Sequence, residues 1–247
     1  MANIIEICTG SYQDCLAAYH GGAKRVELNS GLSVGGLTPS LATLIRVKNE
    51  TDLKVICMVR PRAAGFYYDE QDFKIMMEDA ELFLKHGADG IAFGFLNEDG
   101  TVNGNQTKMM VDMIHSYCKE AVFHRAFDVC PNPYEAIETL IDLKVDRILT
   151  SGQEAKAMQG IALIKDLQSK YGNQIELLAG SGMNASNAME MIQKAGIHQV
   201  HSSCKNYHID TTTKKNNVSY AYLPHPHEMD YDVVDEKLVK ALVESVK

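Results

Sequence analysis

The chain has no tryptophan, only six prolines and six cysteines, and no excess of basic residues. None of the cysteines forms a CxxC pair, and several lie in apolar runs, where free cysteine behaves as a small hydrophobic residue. We therefore expect no disulfide framework and a reducing, cytoplasmic location. The net charge of −8 argues against nucleic acid or an anionic membrane as the main partner.

Long hydrophobic runs are also missing. No window approaches the roughly eighteen consecutive apolar residues of a transmembrane helix. The opening "MANIIEICTG" lacks the basic region and long apolar run of a secretory signal, so none is expected. What remains is 247 residues, 45% of them hydrophobic, enough for one large α/β barrel or two small domains.

Short apolar runs alternate with longer stretches of helical periodicity. The runs are spaced about 20 to 35 residues apart, which suits a strand, a helix and two loops. Eight such units predict a single (β/α)8 TIM barrel, with a doubly wound open sheet as the alternative. The candidate strands are 4–8, 25–29, 54–61, 90–96, 121–128, 147–152, 175–182 and 199–204.

Helix signals fit the same repeat. Thr38-Pro39 and Asn132-Pro133 each combine an N-cap residue with proline at the first helical position. We expect one domain over 1–247, with a long polar loop over 205–232 after strand 8 and a last helix over 233–246. Because that loop follows the last strand, it leaves the barrel at its C-terminal face, where long loops are often functional.

Polar residues fall on the inward face of several strands. Strand residues alternate between faces, and the outer face must pack on helices. Assigning the apolar residues outward leaves an inward set at the C-terminal end of the barrel, where such barrels carry their sites. The set is Glu6, Cys8, Arg25, Glu27, Asn29, Met58, Arg60, Arg62, His201 and Ser203, with His124 and Asp128 assigned inward from "FHRAFDVC".

Five of these residues are candidates for acid–base chemistry. A carboxylate whose pKa is tuned by its neighbours can act as acid or base, an arginine can hold an anion, and a histidine can move a proton. The alternative is a structural cluster of ion pairs that fills the barrel. The candidates are Glu6, Glu27, Arg60, His124 and Asp128.

A second candidate site binds anions. "AGSGMNAS" ends strand 7 at Ser181 and Gly182, and a helix is expected near Asn184, so backbone N–H groups can face an anion. Ser203, Lys205 and Arg60 can add hydroxyl groups and charge. The alternative is a tight turn that uses glycine for its geometry alone.

Metal binding has one candidate residue, Cys8, whose thiol is expected to point into the barrel mouth beside Glu6. Cu(I) prefers thiolate and thioether ligands. His208, His225 and His227 lie in the long loop, where scattered histidines are more often solvated than ligands.

The sequence resembles the CutC copper-homeostasis protein family from about residue 4 to 205. The resemblance is carried by "EICTGSYQDCLAAYHGGAKRVELNSGLSVGGLTPS", "RPR", "FHRAFD", "LTSGQ", "AGSG" and "VHSS", in the family's order and spacing. It implies a TIM barrel, a cytoplasmic location, a homo-oligomer and a role in copper homeostasis. It also maps the family's polar cluster onto Glu6, Glu27, Arg60, His124 and Asp128.

The resemblance implies a copper site as well. Some members are proposed to bind Cu(I) through two cysteines that end strands 1 and 2. The first corresponds to Cys8, and Asn29 occupies the second position, so we expect weak Cu(I) binding. Two functions stay open: a copper-homeostasis protein, and an enzyme acting on a small anionic or phosphorylated metabolite. A purely structural or interaction role ranks third.

Overall fold

The computed structural model describes residues 3–247 and contains a closed barrel of eight parallel strands, ordered β1 to β8. This closure confirms the (β/α)8 barrel, and the open-sheet alternative is wrong. The barrel strands are β1 (Ile4–Thr9), β2 (Arg25–Leu28), β3 (Lys54–Met58), β4 (Gly90–Phe93), β5 (Glu120–Phe123), β6 (Arg147–Thr150), β7 (Glu176–Ala179) and β8 (Gln199–Ser202).

A helix follows most strands and covers the outside of the barrel. Several begin at side-chain caps: Asp69 accepts from the N–H groups of Gln71 and Asp72, and Asn132 accepts from that of Tyr134, as its Asn-Pro signal predicts. The helices are α1 (Tyr12–His20), α2 (Leu41–Glu50), α3 (Glu70–Lys85), α4 (Gly104–Ser116), α5 (Pro133–Asp142), α6 (Ile161–Tyr171), α7 (Ala188–Ala195) and α8 (Glu236–Ser245).

One predicted helix start is wrong. Helix α2 begins after Ser40 rather than after Thr38. The Thr38 hydroxyl accepts the N–H of Arg60 at 3.0 Å, and the Thr38 N–H donates to the Arg60 carbonyl at 3.0 Å. Thr38 therefore fastens the loop before α2 to the end of β3, which fixes the backbone of a candidate site residue.

The strand alternation is confirmed on β3. Val55, Cys57 and Val59 belong to the main core between sheet and helices, whereas Ile56 and Met58 belong to a separate apolar cluster with Ala92 and Val122. That second cluster lies inside the barrel. The side of the lumen formed by β3, β4 and β5 is therefore apolar.

The predicted strand over 121–128 is too long, because β5 ends at Phe123. Residues Arg125–Val129 form a 3-10 turn, and the His124 ring caps it by accepting the N–H of Ala126 at 3.1 Å. Strand alternation therefore does not place Asp128, although the turn still brings it to the barrel mouth.

The segment expected as a long loop over 205–232 contains strands. β9 (Lys205–Ile209) pairs antiparallel with β12 (Asp230–Val234), and two short strands, β10 (Lys214–Lys215) and β11 (Val218–Ser219), pair between them. Because β12 extends to residue 234, α8 starts at 236 and not at 233. Across residues 3–247, no helix combines the length and apolar character needed to cross a bilayer.

Candidate active site at the barrel mouth

A cavity of about 640 Å³ opens at the C-terminal ends of the barrel strands. All the candidate catalytic, anion-binding and metal-binding residues line it except Glu6, which lies beneath, whereas Arg25 and Arg62, also predicted to point inward, do not line it. Those that line it are Cys8, Glu27, Arg60, His124, Asp128, Ser181, Gly182, Ser203 and Lys205. Residues from distant parts of the chain thus meet at one site, as the strand pattern predicts.

Glu6 forms the floor of the cavity and is 1% exposed. Its Oε2 lies 2.6 Å from Arg25 Nε, and its Oε1 lies 2.9 Å from His201 Nδ1. Burial alone would raise the pKa of Glu6, but the charges of Arg25 and His201 outweigh it and hold that pKa well below its usual range. Glu6 is therefore an ionised residue that positions its partners, and it does not contact the cavity.

Below Glu6, further buried polar side chains lie inside the barrel and contact one another. Arg25 donates to the Gln199 side chain at 2.5 Å, and Arg147 pairs with Glu120 at 2.6 Å near the other end of the barrel. Each buried charge has an opposite partner, which offsets part of its desolvation. These residues therefore form a structural cluster of ion pairs that fills the barrel. The residues at the mouth do not belong to that cluster.

One wall of the mouth combines Cys8, Glu27 and His201, whose ligand atoms lie within 4.8 Å of one another. His201 Nε2 is 3.9 Å from Glu27 Oε2, and Asn29 donates to that same oxygen at 3.0 Å. The pattern "QVHSSC" predicts that His201 points inward, but sequence reasoning did not assign it to the site. Its pairing with Glu6 shows that it belongs there.

The protonation of this wall follows from burial and charge. Burial opposes charging His201, but the Glu27 charge and the contacts with Cys8 and Glu6 raise its pKa well above the usual value. Burial raises the pKa of Glu27, and the nearby His201 charge opposes that rise only in part. The wall can therefore hold and pass a proton at the edge of the cavity.

The adjacent wall carries Arg60, which is 4% exposed. Its guanidinium donates to the carbonyls of Val34 at 2.9 Å, Gly36 at 2.8 Å and Ala64 at 2.6 Å. Within residues 3–247 no carboxylate forms an ion pair with Arg60, and its Nε has no hydrogen-bond partner. A buried positive charge thus faces the cavity without a counter-ion.

His124 lies beside Arg60 and is 3% exposed. Since its Nδ1 accepts the N–H of Ala126, the neutral ring carries its proton on Nε2, which has no partner among the described residues. Burial and the Arg60 charge lower the pKa of His124 to about 3, so the ring stays neutral. The Phe66 ring contacts both, with its centroid 4.9 Å from that of His124 and 5.2 Å from Arg60 Cζ.

Asp128 lies in the cavity wall, yet its carboxylate is fully engaged. It accepts from the Thr150 hydroxyl at 2.5 Å and from the N–H groups of Ser151 at 3.0 Å and Gln153 at 3.2 Å, and it pairs with Arg125 at 2.7 Å. These contacts hold the loop after β6 against the turn after β5. We assign Asp128 a positioning role, since no lone pair is left for a substrate.

The predicted anion turn lies at the cavity rim. Ser181 and Gly182 adopt φ of +81° and +78°, but α7 begins only at Ala188. The helix expected near Asn184 starts later because Asn184 forms a side-chain turn, accepting the N–H of Ser186 at 2.9 Å. Lys205 is paired with Asp232 at 3.3 Å, so Arg60 offers the less compensated charge.

The donor set at Cys8 fits Cu(I) poorly. Asn29 Nδ2 lies 3.7 Å from the Cys8 sulfur, where a second thiolate would be needed. Cys204 is buried, contacts Ser202 at 3.6 Å and does not line the cavity. The loop histidines are elsewhere: His225 and His227 pair with nearby acidic residues in the segment between β11 and β12. Among the histidine, cysteine and acidic residues of 3–247, Cys8 therefore has one imidazole and one carboxylate within ligand distance.

The fold and this mouth define a (β/α)8 barrel protein with a buried, charged site at its C-terminal face. The chain belongs to the CutC family, whose sequence model matches residues 3–206. A CutC family protein from Treponema denticola is 44% identical to this chain, over 98% of this chain and 100% of the relative. Another from Bacteroides fragilis is 40% identical, over 98% of this chain and 97% of the relative.

Solved structures agree with the family and the fold. A protein from Streptococcus agalactiae, described as a putative copper homeostasis protein CutC, has a TM-score of 0.77 and 28% identity, covering 81% of this chain and 98% of its own. Phosphoribosyl anthranilate isomerase from Thermococcus kodakaraensis has a TM-score of 0.59 and 16% identity, covering 100% and 99%. The second likeness extends to the fold alone.

Proposed function

We propose that this CutC family protein is an enzyme that binds a small anionic metabolite, carboxylated or phosphorylated, at the barrel mouth. The observation that carries the proposal is the buried guanidinium of Arg60, which lines the cavity without a carboxylate partner. A buried charge without a counter-ion is costly, and an anionic ligand would supply the missing charge. The cavity volume is in the range of metabolite sites.

The wall next to Arg60 supports catalysis rather than binding alone. Glu27 and His201 lie 3.9 Å apart there, and burial and charge shift the pKa of both upward. Pairs of titratable groups with shifted pKa values in a cleft are typical of acid–base catalysis. A protein that only stores an anion would not need this pair.

Calorimetric titration with inorganic phosphate tests the proposal on wild type, Arg60→Gln and the neighbouring control Arg62→Gln. Arg62 is more exposed and pairs with Asp72, so its loss should leave binding unchanged. Arg60→Gln should weaken binding at least about tenfold, since it removes a charge-assisted contact. A thermal melt shows that each variant is folded, and Arg60→Lys provides a charged second variant. Equal phosphate affinity in all four proteins would contradict the proposal.

Copper homeostasis through weak Cu(I) binding is a second candidate function. The description of the Streptococcus agalactiae relative favours it, and Cys8, Glu27 and His201 are the residues that could hold the ion, with Cys8 as the soft ligand among them. Anaerobic Cu(I) titration of Cys8→Ser, with exposed Cys118→Ser as the control, tests it. Loss of affinity in Cys8→Ser alone would support a copper site, whereas equal weak binding by both variants and wild type would remove Cys8 from it.

A cytoplasmic location and a homo-oligomer stay predictions from the family resemblance. Fractionation of cells expressing the tagged protein checks the first, and analytical ultracentrifugation checks the second. A species of one chain mass across the accessible concentration range would contradict the oligomer.

A further inference from the structure

Two buried donors without partners belong to side chains that line the cavity. They are Arg60 Nε and His124 Nε2, both unpartnered within residues 3–247. Phe66 contacts both side chains, and the Arg60 charge acts on the His124 ring. Buried donors are almost always satisfied in proteins, so an unpaired couple in a cavity indicates where the oxygen of a ligand belongs.

The histidine of this couple is suited to stabilise an oxygen that becomes negative during a reaction. Its ring is held neutral and its tautomer is fixed by the Ala126 N–H, so Nε2–H remains a donor throughout the physiological pH range. A preorganised donor next to a fixed positive charge stabilises an oxyanion strongly in a site from which water is excluded. Arg60 supplies that charge without having to move.

A proton acceptor is available in the same cavity. Glu27 is on β2, next to β3, which leads to Arg60, whereas His124 follows β5, three strands away from β2 in the ring. The Glu27 carboxylate receives a hydrogen bond from Asn29 and no ion pair closer than 3.9 Å among the described residues. The same cavity thus holds a carboxylate and a pair of oxyanion donors.

We propose that the enzyme abstracts a proton from a carbon next to a carbonyl, in a small carboxylated or phosphorylated substrate. Glu27 accepts the proton, the C–H electron pair forms the C=C bond, and the carbonyl π pair moves to oxygen. His124 Nε2–H and Arg60 Nε stabilise this enolate oxygen. In an α-hydroxycarbonyl substrate, the hydroxyl proton then moves to the former carbonyl oxygen, and Glu27 returns its proton to the former carbonyl carbon. The new carbonyl forms on the carbon that lost the proton, so the step is an isomerisation and needs no co-reactant. The inference rests on the proposed function, because Arg60 must bind the anion.

Binding of two dianions tests the inference. Oxalate is planar and imitates an enolate, whereas malonate has the same charge and a tetrahedral carbon. By calorimetry, wild type should bind oxalate at least about tenfold more tightly than malonate, since transition-state mimics bind more tightly than ground-state ones. Equal affinities would overturn the inference.

Substitutions at His124 and Glu27 test which residues cause the preference for oxalate over malonate. His124→Asn keeps a cap for the Ala126 N–H but removes the Nε2 donor, so it should reduce the preference for oxalate about tenfold. His124→Phe is a second variant at the same position. Substitution of the exposed His20, His20→Asn, is the control. Glu27→Gln should tighten oxalate binding at least about threefold, because it removes a negative charge facing the dianion. An unchanged preference in both His124 variants, or weaker oxalate binding in Glu27→Gln, would overturn the inference.

Failure of the inference can be distinguished from failure of the proposed function. If Arg60→Gln weakens both dianions but oxalate has no advantage, the anion site stands and the enolate chemistry does not. If neither dianion binds wild type, or neither depends on Arg60, both are overturned.

Discussion

The imidazole of His201 donates to the carboxylate of Glu6 across 2.9 Å, at the floor of the barrel mouth. The contact joins two regions of the chain 195 residues apart, and it connects the paired charges of the lumen to the cavity wall. Because Glu6 also pairs with Arg25, one carboxylate neutralises a structural arginine and orients a site histidine.

Replacing Glu6 therefore affects stability more than surface acidic residues do. Glu6→Gln should lower the free energy of unfolding by about 3–5 kcal/mol, since it leaves buried Arg25 without its counter-ion. Urea denaturation measures this. Glu190→Gln, which breaks an exposed pair with Lys194, is the control and should change stability little. A loss in Glu6→Gln as small as in the control would contradict the assigned role.

The two buried histidines should have opposite protonation states at neutral pH. The imidazole ¹⁵N shifts should show His201 protonated on both nitrogens and His124 neutral with its proton on Nε2. A neutral His201 or a charged His124 at pH 7 would contradict the described electrostatics.

The contributions of the same two residues to the free energy of unfolding should depend on pH in opposite directions. The folded pKa of His201 is raised, so its contribution is full below the unfolded value of about 6.5 and is lost as pH rises through the folded pKa. The folded pKa of His124 is lowered to about 3, so its contribution is present above about 6.5 and is lost as pH falls toward 3. His124→Asn should accordingly flatten the acid side of the stability profile.

Much of the fold and part of the site could be predicted from the sequence. Alternation on short strands places Glu6, Glu27 and Arg60 inside, because a barrel strand must turn its apolar face to the helices. It could not show that Glu6 is covered by His201, since that contact depends on the register of β1 against β8. The strand prediction failed over 124–128, where a local side-chain cap replaces strand geometry, although Asp128 still lies at the mouth.

The antiparallel pair β9–β12 was also missed. Most residues of β9 are exposed and most of β12 are half-buried, so neither strand shows the alternation of apolar and polar residues by which strands are recognised. The hydrogen bonds that identify these strands join residues 205–209 to residues 230–234. A local sequence pattern cannot reveal pairing between segments so far apart.

Asp128 should act on loop structure rather than on chemistry. Asp128→Asn should lower the free energy of unfolding by about 2 kcal/mol, because hydrogen bonds to a charged acceptor are weakened and the Arg125 pair is lost. Thermal or urea denaturation checks this, with exposed Asp112→Asn expected to change stability by less than about 0.5 kcal/mol. Unchanged stability in Asp128→Asn would contradict the positioning role.

Gly94 leaves the space that the His124 ring occupies. A Cβ at residue 94 would lie 2.5 Å from His124 Cε1 and 2.7 Å from the Ala126 Cβ. Gly94→Ala should therefore destabilise the protein by about 1–3 kcal/mol and weaken anion binding by displacing His124. Gly104→Ala has nothing within 4 Å and lies at the start of α4, so it should be neutral or stabilising by up to about 1 kcal/mol. Equal stability and anion affinity in the two variants would contradict the described packing.

The central claim is that Arg60 binds an anion inside the barrel mouth, and a crystal structure of the protein grown with oxalate tests it most directly. We predict oxalate in the cavity, with an oxygen about 2.7–3.2 Å from Arg60 Nε. Clear density showing only water beside Arg60, at an oxalate concentration that saturates binding in solution, would contradict the account.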